Sequence, residues 1–155
     1  MAVAVLLGST GMMRAADGDT FIAKSTEGLQ LTFKVISESA KTCQLGDGVD
    51  ICIFEPYASS TREIKTLTIP DMPNGYKVTT IGRKALYDVQ WLTKIVIPQT
   101  VTVLDDKAFC ISYGNYDALE EMILPDGLTT IGERCFSNRV KWPLTAIPSG
   151  GTSIR

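Results

Sequence analysis

Three stretches of this chain are near copies of one another: Ile64-Lys-Thr-Leu-Thr-Ile-Pro70, Leu92-Thr-Lys-Ile-Val-Ile-Pro98 and Leu119-Glu-Glu-Met-Ile-Leu-Pro125. Each is followed by a second echo: Val78-Thr-Thr-Ile-Gly82, Val101-Thr-Val-Leu-Asp105 or Leu128-Thr-Thr-Ile-Gly132. A third follows, Ala85-Leu86, Ala108-Phe109 or Cys135-Phe136. A short recurring unit cannot bury its apolar edge alone and has to stack on its neighbours, so the repeat dictates the architecture. It also favours an extended binding surface over a catalytic pocket.

The anchors Ile81, Leu104 and Ile131 are 23 and 27 residues apart, and the three prolines are 28 and 27 apart. Insertions at Asp71 to Lys77 and at Ile111 to Ala118 account for the differences. Without them the unit is about 23 residues, within the roughly 20–29 of leucine-rich repeats. Ile95 and Ile97 alternate with Lys94 and Val96, the period of a strand with one buried face. Proline then ends the strand, having no N–H to donate. Gly82 and Gly132 are expected to permit the bend that follows, and the Ala-Leu, Ala-Phe or Cys-Phe pair to plug the interior.

The combined pattern L-x-x-I-x-I-P…V-x-x-I-G-x-x-A-F resembles the bacterial surface-antigen leucine-rich repeats, the BspA-like or treponemal type, from Ile64 to about Ile147. Departures occur at Val89, Ser112 and Arg139, where the family often has Cys or Asn, at Asp105 in place of Gly, and at Leu86 in place of Phe. The resemblance implies a curved, exported, non-enzymatic solenoid that binds proteins or other macromolecules. The expected fold is a β-rich leucine-rich-repeat solenoid, with a short parallel sheet of about three coils and an N-terminal β-hairpin cap.

Four segments are expected. Residues 1–16 read as a secretory signal remnant, an apolar run ending in small residues but lacking a basic start. The competing reading is an apolar first strand. Residues 17–63 form a non-repeating β-rich cap, in which Leu29, Leu31, Phe33 and Val35 alternate with polar residues. Lys41–Leu45 and Asp50–Phe54 are expected to pair as a hairpin around Gly46-Asp-Gly48. The repeats then occupy 64–91, 92–118, 119–143 and a partial 144–148, and 149–155 is a tail.

Composition narrows the function. The net charge is −2 without a run of one sign, which argues against a nucleic-acid partner. No apolar run past residue 20 approaches the roughly 18–20 residues of a membrane span. The chain has no histidine, which removes Ser-His-Asp and Cys-His catalysis and histidine-based zinc sites. Its four cysteines form no C-x-x-C pair. Cys135 takes an interior position and reads as a buried thiol, while a Cys43–Cys52 disulfide stays open. Glu120 and Glu121 would point to opposite strand faces and cannot serve as a glycosidase pair. No cofactor or metal is expected.

Two surfaces are candidates for a partner. On a stacked parallel sheet the outward ladders would be Thr66, Lys94 and Glu121, and Thr68, Val96 and Ile123, with rungs about 4.8 Å apart. The insertion carrying Tyr113, Asn115 and Tyr116 has the composition of an adaptable binding loop. The expected function is protein or extracellular-matrix binding by a secreted or surface-exposed protein. The alternative is a structural spacer, or an end piece of a larger repeat protein, that self-associates through an open C-terminal coil.

Overall fold

The computed structural model describes residues 15–56, 58–113, 116–139, 141 and 153–154. Of the features expected from the sequence, the signal remnant up to residue 14, Asn115, Trp142, the partial repeat 144–148 and most of the 149–155 tail lie outside them.

Each half of the repeat builds its own parallel ladder. The first-half strands β4 (Thr66–Thr68), β6 (Lys94–Val96) and β8 (Glu121–Ile123) form a three-stranded sheet. Leu67, Ile95 and Met122 are partners across it, all buried. The bonding runs on to the residue before Pro70 and before Pro98, with the Ile69 amide donating to Val96 and the Ile97 amide to Ile123, both at 3.1 Å. The second-half strands β5 (Lys77–Ile81), β7 (Val103–Leu104) and β9 (Thr130–Ile131) pair in the same way, aligning buried Ile81, Leu104 and Ile131.

The second ladder continues at both ends. Strand β10 (Ser153–Ile154) pairs in parallel with β9, Ile154 opposite Ile131. This rung falls in the segment expected to be only a tail, and Ile154 stands 23 residues after Ile131, in phase with the repeat. At the other end β1 (Thr20–Lys24), β2 (Gln30–Ser37) and β3 (Thr42–Leu45) form an antiparallel meander, and β3 pairs in parallel with β5.

The hairpin expected between 41–45 and 50–54 is not formed. Both edges of β3 are taken, one by β2 and one by β5. The chain returns instead to β2, where Thr32 donates to the Cys52 carbonyl at 2.7 Å and Phe54 to that of Gln30 at 2.9 Å. Covering the exposed edge of the first coil is what a stacked ladder requires, and β3 serves that need. The hairpin that does form joins β1 to β2, with the Ser25 hydroxyl accepting from the amides of Glu27 and Leu29.

Gly82 and Gly132 also act differently from expectation. Neither has a positive φ. A Cβ at Gly82 would lie 2.7 Å from the Leu45 carbonyl oxygen, and one at Gly132 would lie 2.5 Å from the Asp106 amide nitrogen. They are glycines because the neighbouring rung passes too close for a side chain. Left-handed backbone comes two residues later in each unit, at Lys84, Lys107 and Arg134, with φ of 57, 56 and 53°. Such strain persists where the surroundings hold it, and here the Lys84 and Lys107 amides donate to the Asp106 and Glu133 carbonyls of the next unit.

The interior is a continuous apolar cluster running from Ala15 to Cys135. Phe21 stacks on Phe33 at 5.4 Å and meets Tyr76 at 5.5 Å, joining the meander to the first repeat. All four cysteines are free, buried thiols, so no disulfide links Cys43 to Cys52.

Candidate functional site

The sheet of β4, β6 and β8 places the outward residues in two straight lines. Thr66, Lys94 and Glu121 are successive partners, as are Thr68, Val96 and Ile123. They arise locally: the middle residue of each strand points inward, so its two neighbours must face out. Lys94 Nζ lies 2.9 Å from Glu121 Oε2, with the two side chains 38% and 53% exposed. A pair so open to water contributes under about 1 kcal/mol, so either group can re-pair with an incoming one at little cost. Beside it Val96 is half-buried and Ile123 is 39% exposed.

Thr68 is less available. Its hydroxyl donates to Glu27 Oε1 at 2.6 Å and its amide to Glu27 Oε2 at 2.9 Å, so the β1–β2 turn blunts the edge of β4. Burial alone would raise the Glu27 carboxyl. Hydrogen bonds from the Thr68 hydroxyl and amide, from its own amide and from the Ser25 hydroxyl outweigh that and hold it below the ordinary carboxylate range.

Tyr113 and Tyr116 are exposed, at 79% and 64%. With Arg62, Asp88, Gln90, Trp91 and Ser112 they line a cleft of about 330 Å³. Trp91 packs as an edge residue, 8% exposed, with the Arg62 guanidinium 5.4 Å from its ring centroid. Arg62 lies in the last turn of the short helix α1 (Ser59–Glu63), an element the sequence pattern does not announce. Asp88 holds the start of the tyrosine segment, accepting from the Ser112 amide and hydroxyl at 2.6 Å each.

The far end of that segment is held by a group that sequence reasoning passed over. The Arg139 guanidinium reaches Asp117 at 2.8 Å, the Phe109 carbonyl at 2.8 Å and the Val89 carbonyl at 2.9 Å. Three consecutive units are tied by one side chain. The available signal was the departure of Arg139 from the Cys or Asn of its family position. Among the described residues no group of three or more His, Cys, Asp or Glu is placed to hold a metal, and no helix is long and apolar enough to cross a membrane.

The model of the BspA type leucine rich repeat region matches residues 50–155, in 6 copies. It begins earlier than the repeats from Ile64 onward and divides the segment more finely than they do. No curated protein and no solved structure matches the chain.

Proposed function

The chain belongs to the BspA-type leucine-rich repeat family, and from that membership we propose that it is a secreted or surface-exposed binding protein without catalysis. Its partner is a protein, with extracellular-matrix proteins the first class to test. In this reading the stacked units form a solenoid of about three coils, to match the three-stranded sheet. The outward face of that sheet presents the contact.

The observation that carries the proposal is the register of Thr66–Lys94–Glu121 beside Thr68–Val96–Ile123. Polar, charged and apolar groups recur there at one-rung intervals on a rigid base, which suits a partner of complementary shape and charge. The competing spacer reading draws on one fact: Thr68, Lys94 and Glu121 already find partners within the chain.

The experiment is binding of the full chain to immobilised matrix proteins and polysaccharides, with folding followed by circular dichroism. Saturable binding to a protein, weakened when Lys94→Glu is combined with Glu121→Lys, supports the sheet-face reading. A folded double variant that binds as the parent does removes the sheet face. A folded parent that binds nothing favours the spacer.

A further inference from the structure

The units also stack through a third ladder, at the bend after each second-half strand. The Lys84 amide donates to the Asp106 carbonyl at 3.2 Å, Leu86 to Ala108 at 2.8 Å and Asp88 to Cys110 at 2.9 Å. One unit on, Lys107 donates to Glu133 at 3.0 Å, Phe109 to Cys135 at 2.9 Å and Ile111 to Ser137 at 3.0 Å. This register sets Lys84, Lys107 and Arg134 in one column, a cation on each successive rung about 4.8 Å apart. All three have the left-handed φ that glycine, asparagine and aspartate adopt more readily. Four residues later the same turns follow that preference, with Asp88 at 57° and Asn138 at 63°. The turn alone does not ask for three cations.

A cleft of about 240 Å³ is lined by Lys107 and Arg134 together with Tyr87, Cys110, Ser137 and Asn138. Its described lining residues include no carboxylate. The Cys110 thiol is raised by burial first and by Asp88 next, while Lys107, Arg139 and Arg134 oppose the rise, so both column cations act on the cleft wall. The neighbouring acids are engaged elsewhere. Both Asp88 oxygens accept from Ser112, and Asp106 Oδ1 accepts from the Glu133 amide at 2.7 Å. Among the described residues Lys107 has no ion-pair partner. Arg134 meets Glu133 only through Nε, at 3.5 Å, with the side chains 65% and 68% exposed. A pair so open contributes under about 1 kcal/mol and is readily exchanged.

We propose that this column binds a sulfated polysaccharide, one sulfate of which sits in the cleft between Lys107 and Arg134 while the chain runs on past Lys84. Like charges on adjacent rungs repel, and an anion between them replaces that repulsion with attraction. A sulfate ester offers three terminal acceptor oxygens, enough for two cations and a hydroxyl from Tyr87 or Ser137 in the same lining. The cleft is smaller than the roughly 300–1,000 Å³ of sites that enclose a whole small ligand, so it admits one pendant group. A cation on every rung matches an anion that repeats along a chain. Nucleic acid repeats its charge too, but the aromatic beside the column gives no platform for a base. Tyr87 is half-buried, with Lys84 Nζ 5.6 Å from its ring centroid. The inference adds a second ligand to the protein-binding reading and stands without it.

The test uses the full chain and a fluorescein-labelled heparin octasaccharide, followed by anisotropy beside labelled polygalacturonate, neutral dextran and a single-stranded oligonucleotide. The heparin fragment should bind at least about tenfold more tightly than polygalacturonate, and more weakly as salt rises. Lys107→Gln and Arg134→Gln should each weaken it about fivefold or more. Arg134 is exposed, so that variant carries the test if Lys107→Gln misfolds. Lys24→Gln removes the same charge from an exposed site on β1, at the other end of the seven-stranded sheet, and should leave binding unchanged. No binding of the heparin fragment, full binding by the folded column variants, or an equal loss in Lys24→Gln would overturn the proposal. Polygalacturonate bound as tightly would overturn it in favour of a carboxylate site, and tighter oligonucleotide binding in favour of nucleic acid. Lys94→Glu combined with Glu121→Lys keeps the net charge and should not affect heparin. Loss of a protein partner in that variant and loss of heparin in the column variants are therefore separate results.

Discussion

Arg139 Nη1 and Asp117 Oδ1 meet at 2.8 Å with both side chains fully shielded from solvent. The pair joins the end of the tyrosine segment to the third repeat. The same guanidinium caps the Phe109 and Val89 carbonyls, so all three of its nitrogens are in use. Burial pushes the guanidinium below its ordinary pKa, and the Asp117 carboxylate opposes that shift.

Removing one member of a buried pair strands the other, at a cost of about 3–5 kcal/mol. Arg139→Met should therefore destabilise strongly, leaving the buried Asp117 carboxylate without its cation, with the Leu119 amide as its remaining donor, and two carbonyls without the guanidinium. Adding Asp117→Leu should recover part of the loss, since the stranded charge goes with it. Urea unfolding of the two variants checks this. A double variant no more stable than the single would contradict the account.

Gly132→Ala should cost about 1–3 kcal/mol, because the new methyl meets backbone rather than a mobile side-chain tip. Gly127→Ala, where a Cβ would meet nothing within 4 Å, is the control and should be near neutral. Thermal midpoints of the two proteins give the comparison.

Glu27 makes stability depend on pH. Its folded pKa is lowered, so its contribution is complete above the unfolded value, near 4.5, and is lost as pH falls through the lower folded value. Glu27→Gln should cost about 1 kcal/mol at pH 7, a charge-assisted hydrogen bond discounted for its partial exposure. The gap between parent and variant should close on acidification. Urea midpoints at pH 7 and pH 3 measure it, and a gap that widened at pH 3 would have the wrong sign.

The four thiols should be inert in the folded protein. Desolvation pushes Cys43 and Cys135 up to about 12, and raises Cys52 and Cys110 as well. Titration with a disulfide reagent at pH 8 should show little reaction before denaturant is added and four thiols afterwards. Two reactive thiols in the denatured chain would mean that one pair of the four had formed a disulfide, contrary to this account.

The repeat and its ladders were legible because both depend on local spacing. Alternation placed Ile95 inward and Lys94 outward, and the recurrence of the motif put Lys94 between Thr66 and Glu121. The β10 rung was equally in phase but was passed over, since glycine takes the apolar anchor's place before Thr152-Ser153-Ile154. The hairpin failed for a different reason. Gly46-Asp-Gly48 is a competent turn, and nothing local says that β5 will claim the edge of β3.

The sequence by itself determined the repeating unit, its stacking order, the residues that face outward and the family, because these follow from periodicities of two and about 23 residues. Only the tertiary structure decided which outward groups are already occupied and where donors converge. Glu27 reaches Thr68 across 41 positions, Arg139 reaches Asp117 across 22, and Arg62 lies over Trp91 from a separate helix. Such contacts are set by how the units pack together, and hydrogen bonding between distant residues leaves no period in the chain.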